Sequence, residues 1–299
     1  MRDVVTQEAC FVCGGNEFDA ITAAYRHCRK CGHELLKTAR AQGYMVNDPL
    51  DREDVIKVGM LDRFKKNVLH RFCEEINRFC LLDVGSSSGK FLLQNAGRFE
   101  KTIGIEVTPE AIKFSRNVLG LEVYESIHDV NANISVVTFW HSLEHIPADD
   151  MLEMLKGISC QMSPGGKVIV SVPNNKSIQY RLFRTAYAFF DVPHHIHQFS
   201  PYSLDCLFKR FGFSKVSRVP SWPYNVFGYI QSILNFLTGT HNYLYYRFKR
   251  RSIRPSPWKD MINTLFLPVA VPAGFTLALL DAAFPNQQGV LTLCYERRR

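Results

Sequence analysis

Residues 81–89 read Leu81-Leu-Asp-Val-Gly-Ser-Ser-Ser-Gly89, followed by Lys90-Phe-Leu-Leu. The apolar run around one aspartate reads as a buried strand. The small residues that end it demand a sharp turn, and Lys90 opens a helix. Strand, tight turn and helix in this order make the ligand-binding corner of open α/β sheets, where helix amides face the ligand. Gly85 and Gly89 permit a ligand to approach the backbone closely. Glu106 follows Gly85 by 21 residues, at the end of the next strand, Thr102–Glu106. A carboxylate there can accept both hydroxyls of a ribose. A dinucleotide-binding fold competes for the same pattern.

Outward from this corner the alternation continues. Upstream, Leu61, Phe64, Val68, Phe72 and Ile76 recur at helical spacing across Met60–Phe79. Downstream, strands are expected at Val123–Tyr124, Ile134–Trp140, Lys167–Pro173, Phe213–Val219 and Gly289–Glu296. Helices are expected at Pro109–Asn117, at Asp149–Gln161 and from Ser200 to near Gly212, the last with Pro201 in its first position. Such alternation implies an α/β fold with a largely parallel sheet covered on both faces.

Three further phrases fix the reading: Phe139-Trp-His-Ser-Leu-Glu-His145, Met162-Ser-Pro-Gly-Gly-Lys167 and Pro193-His-His-Ile-His-Gln-Phe-Ser200. Together with the loop at 83–89 they resemble the class I S-adenosylmethionine-dependent methyltransferases. The likeness is closest to the ubiquinone-biosynthesis O-methyltransferases and the related sugar and natural-product methyltransferases. It covers roughly residues 69–213 and the last strand, and it implies a Rossmann-like sheet of seven strands. It further implies that Asp83, Gly85, Ser87 and Gly89 hold the methionine part of S-adenosylmethionine and that Glu106 holds its ribose. The middle glycine usual in that loop is Ser87 here, a departure that the hydroxyl must accommodate by pointing away from the cofactor or by bonding its carboxylate.

Methyl transfer from a sulfonium asks the protein to align the acceptor and take its proton. His141, His145, His194, His195 and His197 are the candidates, half of the ten histidines gathered at two strand ends. His195 is the expected general base, with His145 or His141 orienting acceptor or base. Glu144 is an alternative device that fixes a histidine tautomer. Taken singly, each imidazole also reads as a hydrogen-bonded core residue, and as a metal set their spacing has no familiar signature. Tyr180 and Arg181 read either as a lid or phosphate anchor or as part of an ordinary surface helix.

At the N-terminus, Cys10-Phe-Val-Cys13 and Cys28-Arg-Lys-Cys31 lie 14 residues apart, each pair followed by glycine. This spacing predicts a structural zinc ion (Zn2+) held by four thiolates, with no position left open for catalysis. A cysteine-rich module also precedes small-molecule methyltransferases related to those named above. Arg26, Arg29, Lys30, Lys37 and Arg40 read as a solvated face or as substrate docking. The five other cysteines, an odd remainder, point to a reducing compartment. The first eight residues lack the apolar run of a signal peptide, so the cytoplasm is expected.

The segment between the last two strands, about 70 residues, is far longer than the turn usual in that family. Pro220–Tyr246 and Met261–Leu280 carry no charged residue, while six Lys and Arg lie between Arg247 and Lys259. Pro268, Pro272 and Gly274 interrupt the second apolar run, and two crossings would place the cations outside, against the positive-inside trend. An in-plane or shallow hairpin on an anionic membrane avoids this; a helical cap on the sheet or a homodimer through 220–288 is the alternative. The expected organisation is therefore a zinc module at 1–45, a linker and N-terminal helices at 46–80, the cofactor-binding core at 81–219, the insertion at 220–288 and a final strand with a basic tail at 289–299.

The net charge of +8 thus has an address beside apolar runs. The favoured function is O-methylation of a sugar or of a lipid-linked or prenylated intermediate, at the inner face of the membrane. RNA methylation guided by the zinc module is an alternative, disfavoured because the cations do not interleave with a strand-binding groove. A non-catalytic scaffold in a biosynthetic complex is another, suggested only by Ser87.

Overall fold

The computed structural model describes residues 9–20, 24–37, 50–73, 78–248 and 254–298. In chain order the elements are β1 (Phe18–Ala20), β2 (Tyr25–Cys28), β3 (Glu34–Leu36), α1 (Arg52–Ile56), α2 (Met60–Cys73), β4 (Cys80–Val84), α3 (Lys90–Asn95), β5 (Lys101–Ile105), α4 (Pro109–Asn117) and β6 (Glu122–Tyr124). Then follow β7 (Ile134–Trp140), α5 (Ala148–Gln161), β8 (Met162–Pro173), α6 (Ile178–Phe183), β9 (His197–Gln198), α7 (Pro201–Arg210) and β10 (Phe213–Val219). The chain closes with α8 (Trp222–Thr238), α9 (Tyr243–Phe248), α10 (Pro257–Asp281) and β11 (Val290–Arg297).

The main sheet has seven strands in the order β10-β11-β8-β7-β4-β5-β6. Every residue of β4 and of β7 is buried, as strands covered on both faces must be. α7 begins as its sequence demands: the Ser200 hydroxyl accepts from the Ser203 amide, Ser203 Oγ accepts from the Ser200 amide, and Pro201 occupies the first turn. α2 buries Phe64, Val68, Leu69 and Cys73. Its described helix ends at Cys73, short of the expected Phe79, and the expected apolar position Ile76 lies outside the described residues.

β11 runs antiparallel to both β10 and β8. The reason is where the insertion sits. β10 and β8 point the same way, and α8 starts directly after the carboxyl end of β10. A chain returning at that end must run back down the sheet. The three helices α8 to α10 therefore rise from the carboxyl edge, where open sheets bind ligands.

The N-terminal segment does not stand apart from the core. Its strands β1-β2-β3 form a four-stranded sheet whose last member is β9, donated by the histidine-rich segment.

Candidate active site

The sheet order reverses between the carboxyl ends of β4 and β7, and this opens the crevice. Asp83, near the end of β4, is buried and accepts a hydrogen bond from Thr138 Oγ1 at 2.6 Å. Burial pushes its carboxyl up to about 6, although the Thr138 bond opposes the rise. The chain then turns at Gly85, with φ +75°. A Cβ at Gly85 would lie 2.5 Å from the Cβ of Ser142, which itself donates to Val84 O at 2.5 Å. At Gly89 the corresponding neighbours are Leu121 and Ser115. Ligand approach is the reason for these glycines expected from the sequence; in the structure the close partners are the protein's own loops.

Ser87 has φ +50°, a left-handed backbone that favours glycine. Its amide donates to Glu106 Oε2 at 2.8 Å, and the amides of Val107 and Thr108 donate to Oε1, both at 2.9 Å. A carboxylate has about four acceptor positions, so three amides leave room for one more donor. Glu106 can take one ribose hydroxyl as it stands, and a second only if an amide lets go. A cavity of about 240 Å³ opens beside it, with Gly85, Glu106, Ser126, Ser142, His145 and Met154 in its wall. Asp83, Ser87 and Gly89 are not among the residues that line it. Ser86 Oγ, Thr108 Oγ1, His141 Nε2 and Glu144 Oε2, all at the strand ends, are buried without a hydrogen-bond partner. Buried polar atoms left unsatisfied at the strand ends suit a polar ligand.

The histidines divide into two sets. His145 and His195 meet edge to face with ring centroids 4.6 Å apart. His145 Nδ1 lies 2.9 Å from His194 O, and His195 Nδ1 lies 2.8 Å from Phe189 O. Carbonyl oxygens only accept, so both rings carry the proton on Nδ1 and present a lone pair at Nε2. Ligand atoms of Glu144, His145 and His195 all lie within 4.8 Å of one another, close enough to surround a cation. Burial disfavours the Glu144 carboxylate, but the His141 bond and the charges of His141, His195 and His145 outweigh it and hold the carboxyl below its ordinary range. Burial, then the His195 charge, pushes His145 down to about 4, and burial likewise lowers His195.

His141 has φ +56°; its Nδ1 lies 3.2 Å from Glu144 Oε1 and its ring packs on Phe189 and Tyr224. His197 departs from its place among the candidate bases. It is fully buried in the small sheet, with Nδ1 3.2 Å from His33 Nε2 and Nε2 2.9 Å from Ile146 O. His194 faces solvent beside Asp191. Tyr180 is no lid: it is buried and donates to Glu34 of β3 at 2.8 Å. Arg181 pairs with Gln287.

The four N-terminal cysteines come together, with Cys10 and Cys31 sulfurs 3.7 Å apart and Cys13 and Cys28 sulfurs 3.6 Å apart. Thiolates around a tetrahedral ion with bonds of about 2.3 Å would be separated by about 3.8 Å, so the donor set fits such an ion. Arg29 is paired with Asp19 on the surface and Arg26 lies over Phe18; Arg40 lies outside the described residues. The module grips the histidine segment. Tyr25 OH donates to His195 O at 2.6 Å, Leu36 N to Ile196 O at 2.9 Å, and Ile196 N to Glu144 O at 2.9 Å. Ser142, Tyr25, Phe189 and Tyr224 are site residues that sequence inspection missed. Ser142 alone carried a signal, since it sits inside the phrase 139–145.

The family described as "Methyltransferase domain" matches residues 28–218. No curated protein matches the chain. Among solved structures, a cyclopropane synthase from Mycobacterium tuberculosis is similar, with TM-score 0.51, 10% identity, and coverage of 85% of this chain and 90% of that one. An S-adenosylmethionine-dependent methyltransferase from Clostridium acetobutylicum has TM-score 0.45 at 11% identity, covering 80% and 91%. An N-methyltransferase from Bradyrhizobium japonicum has TM-score 0.39 at 14% identity, covering 58% and 80%. At such identities likeness speaks for the fold alone, a Rossmann-like methyltransferase sheet of seven strands.

Proposed function

Because this chain belongs to the methyltransferase-domain family, we propose that it methylates a hydroxyl oxygen of a sugar or of a lipid-linked or prenylated intermediate. S-adenosylmethionine, when bound, supplies the activated methyl group. Asp83, Gly85, Ser87, Gly89 and Glu106 are the residues assigned to hold it, Glu106 through its remaining acceptor position and the others by shaping the loop. A structural zinc ion in the Cys10, Cys13, Cys28 and Cys31 set completes the cofactors.

The observation that carries the proposal is the meeting of His145 and His195 beside buried Glu144 at the crevice. Burial keeps His195 neutral at neutral pH, and Nδ1–H donation to Phe189 O leaves Nε2 ready to take the acceptor's proton. The Glu144 carboxylate, already ionised, steadies the imidazolium that results. His145, edge to face with His195, orients the hydroxyl, while His141 is held in place by Glu144, Phe189 and Tyr224. The zinc module's bonds to residues 195 and 196 set the height of the base. An acceptor carried by a lipid would be met at the cytoplasmic face of an anionic membrane, with the protein as a peripheral partner.

The test uses labelled S-adenosylmethionine with nucleotide sugars, lipid-linked saccharides and RNA, read by mass spectrometry of the products. His195→Ala should lower turnover by roughly 10²- to 10⁴-fold with cofactor affinity nearly unchanged. Unchanged turnover would remove His195 from the mechanism, and label in RNA alone would replace the acceptor class.

A further inference from the structure

α10 is built inside out. Its buried residues are Asn263, Ala270, Gly274, Ala278 and Asp281, which recur at helical spacing on one face. That face packs on α8, and the backbones come so close that a Cβ on Gly274 would lie 2.5 Å from Ile230 Cγ1 and 3.2 Å from Ile230 N. The opposite face presents Met261, Leu265, Val269, Leu279 and Leu280, between 61% and 75% exposed, flanked by Phe266 and Phe275. A helix on a water-soluble surface buries its large apolar side chains and exposes polar ones. Small residues at a helix contact with large apolar residues facing outward is the arrangement helices adopt in lipid.

Charge and backbone chemistry identify the occupant and the depth. From Pro220 to Leu280 the sequence has one acidic residue, Asp260, against six Lys and Arg, all between Arg247 and Lys259 at the N-terminal end of α10. Asp260 is already engaged by the Tyr243 hydroxyl at 2.8 Å. Residues 249–253 lie outside the described residues, so Lys249, Arg250 and Arg251 are placed by sequence alone, while Arg247 lies 3.9 Å from Asp260 and Lys259 lies over the Trp258 ring. Pro268 and Pro272, inside α10 and on its exposed side, provide no N–H for the carbonyls of Thr264 and Pro268. In hydrocarbon those carbonyls would be expensive, whereas at headgroup level water reaches them. α10 also cannot cross a bilayer, because its inner face is packed on the protein from Asn263 to Asp281 and the chain re-enters the main sheet at Val290.

We propose that α10 lies flat in the headgroup region of an anionic membrane, its outward apolar face sunk toward the acyl boundary and its cationic end on the lipid phosphates. This rests on the methyltransferase reading above for its purpose, and deepens it. α8, the helix beneath α10, sends Tyr224 to within 4.5 Å of the His141 ring, centroid to centroid. The same helix pair therefore has lipid on its outer side and the proton-accepting cluster on its inner side. A lipid-borne hydroxyl is the acceptor that this layering serves.

Flotation of the full chain with phosphatidylcholine vesicles, with and without phosphatidylglycerol, tests the surface. Binding should be at least about tenfold tighter to the anionic vesicles and should weaken with added salt. Leu265→Glu with Val269→Glu, at positions 65% and 64% exposed, should reduce binding by about tenfold or more, with circular dichroism and S-adenosylmethionine titration unchanged. Brominated lipid should quench Trp258 in the wild type and not in the double variant. Failure of the wild type to float, equal flotation of the variant, or a dimer that the variant converts to monomer would each overturn the proposal. Loss of cofactor binding in the wild type would instead sink the methyltransferase reading and leave the vesicle result standing.

Discussion

Asp83→Asn isolates the electrostatics of the crevice. The Asp83 carboxyl sits at about 6 in the folded protein against an ordinary 3.8, because burial disfavours its charged form. The native state therefore holds this proton more tightly than the unfolded chain does. Stability falls as pH rises from about 4 to about 6 and the penalty stays constant above that. The gap, at about 1.4 kcal/mol per pH unit, amounts to about 3 kcal/mol. Asparagine keeps an oxygen for the Thr138 hydroxyl and carries no charge. The variant should thus be more stable than wild type by about 2–3 kcal/mol near pH 8, with the difference shrinking to nothing near pH 4. Urea unfolding of both proteins across that range measures it, and only the difference between them matters, since every other titrating group cancels. Cofactor affinity should drop in the same variant, so the stable protein is the inactive one. A stability difference that does not change with pH, or a variant less stable at high pH, would refute the buried-charge account.

Ser87→Gly should relieve the left-handed backbone at φ +50° and raise stability by up to about 1 kcal/mol, read as a higher unfolding midpoint with cofactor affinity retained. The acid limb of turnover should lie below the ordinary histidine value of about 6.5, because burial lowers His195 and activity is lost only as pH falls through its pKa; a limb above that value would exclude it as the base. Metal analysis should find one zinc per chain, and chelation should lower the melting temperature by roughly 10 °C. Chelation should also slow turnover more than it weakens cofactor binding, since β3 holds the His195 segment. Tyr25→Phe should lower turnover in the same way while leaving zinc content intact, at a stability loss of about 1–3 kcal/mol for the unpaired His195 carbonyl.

The seven strands of the main sheet and the two apolar runs of the insertion could be read from the chain because each is set by local pattern. Continuous apolar runs such as Ile134–Trp140 have only a doubly covered strand open to them, and Ser200-Pro-Tyr-Ser has the chemistry of a helix start. The cysteine pairs were equally legible, because their spacing already closes half a tetrahedron. The phrase 139–145 singled out His141, Glu144 and His145 together for a related reason: all leave one strand end within a few residues of each other.

Partnership across distance was not legible. His195 and His197 differ by two residues, yet one meets His145 and the other His33, because only His197 lies in β9 and is carried into the small sheet by pairing with β3. Nothing near residue 195 announces that Tyr25, 170 positions away, holds its carbonyl. Glu106 could be foreseen as an acceptor, but not that three amides would already occupy it. In α10 the composition gave an apolar helix, while the choice of which face turns outward waited on Gly274 meeting Ile230. Sequence pattern acts through bonds a few residues long and so decides elements; which elements touch, and which polar atoms are left without a partner, is decided only when packing brings distant segments into contact.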